Sequence, residues 1–83
     1  MEVRLFLNTL ERQKKFNKIV NGIFYQNYDI DLYVQDPNKS VDAKSMMAMW
    51  GFDLNHCVYA YINSHKPNVV QRFEDDMKEF FKE

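Results

Sequence analysis

The residue of this chain best placed for chemistry is Ser45, in the run Lys44-Ser45-Met46-Met47. The sequence places it at the mouth of a short helix. There, unpaired backbone N–H groups and the helix dipole favour negative charge, so a phosphate on the hydroxyl could be held by those amides. Such a group adds about −1.5 to −2 charges, and Lys44 is a neighbouring cation. The plainer role is an N-cap, in which the side-chain oxygen accepts a first-turn N–H and stabilises the helix by about 1 kcal/mol. Directly after the serine come Met46, Met47, Met49 and Trp50. A helix this brief cannot bury all of them, so they either fill a small core or face a partner. Met surfaces adapt to different partners, and Trp is frequent at binding hot spots.

The other reactive side chains are scattered. Arg12, Lys14, Lys15 and Lys18 gather at the start of the first long helix, where cations oppose the dipole. Binding could explain that local cost, and a solvated face is the simpler account. Phe16, Phe24 and Tyr25 lie nearby, but RNA-recognition sheets need exposed stacking aromatics on central strands and an RNP-like motif. No such motif is present, so nucleic-acid binding is not expected. His56 and His65 flank the last strand and read as turn residues, with no second ligand cluster for a metal. Cys57 is the single cysteine. It can form neither an internal disulfide nor a Cys-based zinc site, and reads as a small buried hydrophobe. Glu74-Asp75-Asp76 is the wet face of a helix. No nucleophile–base pair, paired carboxylates or phosphate-cradling Gly loop appears, so neither catalysis nor a cofactor is expected.

Periodicity supplies the elements that position these residues. Val3, Leu5 and Leu7 alternate with Arg4 and Phe6, as in a strand with one buried face. Asn8 or Thr9 can cap a helix running from about Leu10, with Phe16, Ile19, Val20 and Ile23 at helical spacing and Gly22 near its end. Tyr28, Ile30, Leu32 and Val34 alternate with Asp29, Asp31 and Tyr33 in a second strand. Asp36-Pro37-Asn38 is a turn. Lys39–Ala43 returns as a short strand, and Ser45 caps a helix through Trp50 that Gly51 stops. Cys57–Ile62 is the last strand. The final helix carries Val69, Val70, Phe73, Met77, Phe80 and Phe81 on one stripe. Asn68 and Gln71 have the spacing of a capping box, after Pro67. The order β-α-β-β-α-β-α predicts an α+β fold, with helices on one face of a four-stranded, mostly antiparallel sheet. Val3, Leu5, Phe16, Ile19, Ile23, Ile30, Leu32, Val58, Phe73 and Met77 form the expected core.

At 83 residues the chain holds one domain, 1–83. A chain so short buries a smaller share of its surface than a larger one. Seven Phe, five Tyr and one Trp offset this with large buried rings. The net charge of −1 gives no general attraction to nucleic acid. No apolar run approaches the roughly 20 residues of a membrane span, and the N-terminus lacks a signal peptide's pattern. The cytosol is the expected compartment.

Tyr28–Leu54, YDIDLYVQDPNKSVDAKSMMAMWGFDL, resembles the centre of HPr, the phosphocarrier of the bacterial sugar phosphotransferase system. The core KSVDAKSMM is the nearest stretch. The resemblance implies an open-faced β-sandwich, makes Ser45 the regulatory serine, and makes Met46, Met47 and Trp50 a docking face beside Lys44, with Met49 inward. Counting back from Ser45 at the family's spacing places the phosphorylated histidine near Lys14. The segment there reads Arg12, Gln13, Lys14, Lys15, Phe16. The histidine, its arginine and the proline that starts the helix are all missing. Lysine is protonated at neutral pH and a poor nucleophile, so no phosphohistidine can form at this site. The catabolite-repression paralogue of HPr also lacks that histidine. It keeps a serine phosphorylated by HPr kinase, and works as a corepressor for a transcription factor. The resemblance thus implies a non-catalytic regulatory domain whose partners are HPr kinase or a transcriptional regulator. The competing reading is a small α+β adaptor for oligomerisation or nucleic-acid binding, with no role in sugar transport.

Overall fold

The first and last strands meet in the sheet although some fifty residues of chain separate them. In the computed structural model, which describes residues 1–52 and 54–83, β1 (Glu2–Leu5), β2 (Ile30–Tyr33), β3 (Val41–Asp42) and β4 (Val58–Ile62) form one sheet in the order β1-β4-β2-β3. Every pairing is antiparallel. The described residues also form three α-helices: α1 (Leu10–Val20), α2 (Met46–Trp50) and α3 (Pro67–Met77). The fold is α+β with an open-faced, four-stranded sheet.

Alternation decides which face is covered. Val3, Leu5, Ile30, Leu32, Val58, Ala60 and Ile62 point to one side and are buried. They share one cluster with Phe16 and Val20 of α1, Met49 of α2, and Val69, Phe73 and Met77 of α3. Phe80, in the tight turn Lys78–Phe80 after α3, meets the Phe16 ring edge-on at 6.0 Å. Such edge-to-face pairs add to what burial alone contributes.

The expected core holds except at two positions. Ile19 is half-buried, and Ile23 is 89% exposed. Helix α1 stops at Val20, with Asn21 as its C-cap, and a tight 3-10 turn at Ile23–Tyr25 takes over. The change from 3.6 to three residues per turn breaks the helical stripe. Ile23 swings outward, and Tyr25 enters the core in its place. The Tyr25 hydroxyl donates to Asp76 at 2.6 Å, and burial is the main cause of its raised pKa.

The strands are shorter than the alternation suggests. Pro37–Lys39 forms a 3-10 turn in which the Asp36 carboxylate accepts from Asn38 N–H, leaving β3 only Val41–Asp42. Tyr33, expected on the wet face, is on that face yet only 7% exposed. Its ring stacks on Tyr59 at 5.3 Å, and its hydroxyl donates to Glu2. The capping box at Asn68 does not form. Lys66 is the N-cap of α3, Pro67 opens the first turn, and Gln71 bonds Asp75 instead. Cys57 is half-buried just before β4.

Candidate functional site

Helix α2 is too short to persist alone in water, where even much longer isolated helices are marginal. Its ends and one face hold it. Ser45 has extended backbone angles, and its Oγ accepts from Ala48 N–H at 3.2 Å. At the other end Gly51 N–H donates to the Ala48 carbonyl at 3.2 Å. Met49 is fully buried in the main cluster, and Met46, one turn earlier, packs half-buried against it. Positions three apart share a helix face, so the same geometry turns Met47 and Trp50 outward together. They are 81% and 57% exposed. Of the three apolar docking candidates, Met47 and Trp50 form the outward pair and Met46 belongs largely to the packing.

A cleft of about 430 Å³ beside Trp50 is lined by Gln13 of α1 and by Phe52, Leu54 and Asn55 of the following loop. Leu10 lies one turn before Gln13 on α1 and is 54% exposed.

Lys44 has a different role from the one its position suggests. Its Nζ donates to the carbonyls of Tyr25 and Tyr28, each at 2.6 Å. The Lys44 carbonyl accepts from Asn17 and Asn21 side chains at 3.2 and 3.1 Å. This residue ties the end of α1, the tight turn after it and the entrance to α2 into one unit. Its ammonium is committed to backbone carbonyls, not aimed at the Ser45 hydroxyl. Ser45 itself is half-buried, with its N–H on the Asp42 carbonyl. The serine works as a helix cap.

The Arg12–Phe16 segment is helix. Thr9 Oγ1 accepts from Arg12 N–H, and α1 begins at Leu10. Arg12 donates from its guanidinium to the carbonyls of Phe6, Lys82 and Glu83 at 3.0, 2.6 and 2.8 Å. Gln13 donates to the Leu7 carbonyl at 2.9 Å. Lys15 pairs with Glu79 at 2.6 Å, and the hydrogen bond to that carboxylate raises its pKa. Phe16 is buried, and Lys14 is exposed. Four of these five residues hold the N-terminal helix to the rest of the domain. The basic cluster read along the sequence is thus divided in its contacts: Arg12 is half-buried on backbone carbonyls, Lys15 is exposed but paired with Glu79, and Lys14 and Lys18 are exposed.

His56 and His65 lie in the loops on either side of β4, both exposed. Among the described residues no three His, Cys, Asp or Glu side chains are grouped to hold a metal ion. No helix among them is long and apolar enough to cross a membrane. Comparison with family models, curated proteins and solved structures returns no match.

Proposed function

We propose that this chain is a non-catalytic, HPr-like regulatory domain that works by docking another protein on α2. The observation that carries the reading is the outward pair Met47 and Trp50 on a helix anchored from beneath by Met49. A flexible thioether beside an indole is apolar surface that water solvates poorly and a partner's pocket can fill. The cleft next to Trp50 offers a recess for a partner side chain. The element order β-α-β-β-α-β-α is what the HPr resemblance implies, and the helical Arg12–Phe16 segment supports the absence of phosphohistidine chemistry. In this reading the partner is HPr kinase or a transcriptional regulator. A phosphate on Ser45 would set charge against the apolar pair and displace the Oγ–Ala48 cap bond. The adaptor reading gains less support for nucleic acid. The open sheet face has aromatic rings, but it also has Glu2, Asp31 and Asp42, whose charges repel phosphate.

The test uses purified HPr kinase and the carbon-catabolite regulator of the same cell. Wild-type chain should bind one of them. Met47→Glu should weaken that binding at least roughly tenfold, about 1.4 kcal/mol, with an unchanged circular-dichroism spectrum. Incubation with phosphoenolpyruvate and the first enzyme of the transport system should leave the mass unchanged. Acid-labile phosphate on His56 or His65, or equal binding by Met47→Glu, would overturn the reading.

A further inference from the structure

We infer that the open face of the sheet binds a small organic cation with an alkylammonium head. The site is a cleft of about 390 Å³ lined by Glu2, Asp31, Tyr33, Pro37, Ser40 and Tyr61. That volume suits a small ligand. Sheet register assembles it from distant parts of the chain. Tyr61 of β4 pairs with Glu2 of β1 on one side and with Asp31 of β2 on the other. The three side chains therefore stand in one row across the wet face, which α1, α2 and α3 leave uncovered. Tyr33, from the next row, is fixed in two ways: its ring stacks on Tyr59, and its hydroxyl holds the Glu2 carboxylate. The cleft thus presents the half-exposed Tyr61 ring, with the edge of the buried Tyr33 beside it, next to two carboxylates.

That combination selects the ligand class. Aromatic faces attract ammonium groups through the ring quadrupole, most strongly where water is displaced. The carboxylates add a counter-charge and repel anions. A bare metal ion is a poor fit, because the described residues group no set of three ligands. Among the described residues no cation lines the cleft. Arg4, in the adjacent row, holds its guanidinium over the Phe6 ring at 5.8 Å, and Lys39 lines a separate cleft with Gln35 and Phe52.

Asp31 strengthens the case. It lies directly opposite Asp42 in β3 and two residues from Asp29. Like charges directly opposed across strands destabilise a sheet, and no hydrogen bond or ion pair among the described residues reaches this carboxylate. Burial and these two neighbours raise its pKa. A bound ammonium would relieve both the desolvation and the repulsion.

The experiment titrates isotope-labelled protein with choline and, separately, with its uncharged carbon isostere, following backbone amide shifts. Choline should produce saturable shifts at Asp31, Tyr33, Ser40 and Tyr61, and the isostere should not. Asp31→Asn should weaken binding roughly tenfold, about 1.4 kcal/mol, and Tyr61→Leu should weaken it too. Met47→Glu, on the opposite side of the domain, should leave it unchanged, which separates this site from the docking surface. Asp31→Asn removes a repulsion and keeps its shape, so it decides the matter if Tyr61→Leu does not fold. A short peptide with a central lysine forms a second arm. Tighter binding of the peptide than of choline assigns the cation to a protein side chain, and the reverse assigns it to a free small molecule. No saturable shift with either ligand, an equal response to the isostere, or undiminished affinity in Asp31→Asn would overturn the inference.

Discussion

Replacing Lys44 with Met separates a structural lysine from a docking one. The ammonium bridges the carbonyls of Tyr25 and Tyr28, which end the tight turn after α1, with both contacts at 2.6 Å. A cation at the carbonyl end of a helical turn is favourable for the same reason as at a helix C-terminus. Hydrogen bonds to a charged group contribute about 1.5–3 kcal/mol each when well shielded. Lys44 is half-buried, so the lower end applies, and water can reach part of the exposed carbonyl surface. The methionine keeps most of the alkyl packing. The expected loss over the two bonds is about 3 kcal/mol. For a domain of this size that lowers the melting midpoint by about 12–24 °C. Arginine should not restore it, because a planar fork cannot occupy the point between two carbonyls as a compact ammonium does. Urea unfolding followed through Trp50 fluorescence measures the stability, and binding is measured below the midpoint. A Lys44→Met protein as stable as wild type but unable to bind the partner would refute the clamp and return Lys44 to the docking surface.

Three further outcomes follow from the packing and the titrating groups. Phe80→Ala removes a buried ring from its edge contact with Phe16 and should cost about 3–5 kcal/mol, seen as a large drop in the urea midpoint. Tyr25→Phe deletes the 2.6 Å bond to Asp76 and should cost about 1–2 kcal/mol. The folded-state pKa of Tyr25 lies above its ordinary value of 10.0, so wild type loses stability as pH rises above that value. Tyr25→Phe should show a shallower alkaline decline in thermal melts. Asp31→Asn should raise the melting midpoint at neutral pH. Asp31 also has a raised folded-state pKa, so its burden is absent below the ordinary value of 3.8 and grows as pH rises through the folded value. The gain from the asparagine should vanish toward low pH.

Patterns local to a few residues were legible without coordinates. Alternating apolar residues marked β1 and β2 because pleating sends neighbours to opposite faces, and the Val and Tyr content of Cys57–Ile62 marked β4. The stripe from Val69 to Phe80 marked α3, and Ser45 could be named as a cap because capping is a matter between a residue and the N–H three positions on. The HPr resemblance implied Met49 inside and Met46, Met47 and Trp50 outside, and of those three the structure leaves only Met47 and Trp50 largely exposed. What failed was whatever depended on the next element. Ile23 continued the α1 stripe on paper, but the chain tightened after Val20 and exposed it. Lys44 looked like a free cation beside a serine, until folding brought two carbonyls from sixteen and nineteen positions earlier within reach. Arg12, Lys14, Lys15 and Lys18 looked like one basic surface, but Arg12 and Lys15 became separate clamps. The row Glu2–Tyr61–Asp31 had no sequence signature at all. Strand order and register are set by how hydrophobic faces meet across the whole sheet, so only the tertiary structure could place residues 2, 31 and 61 side by side.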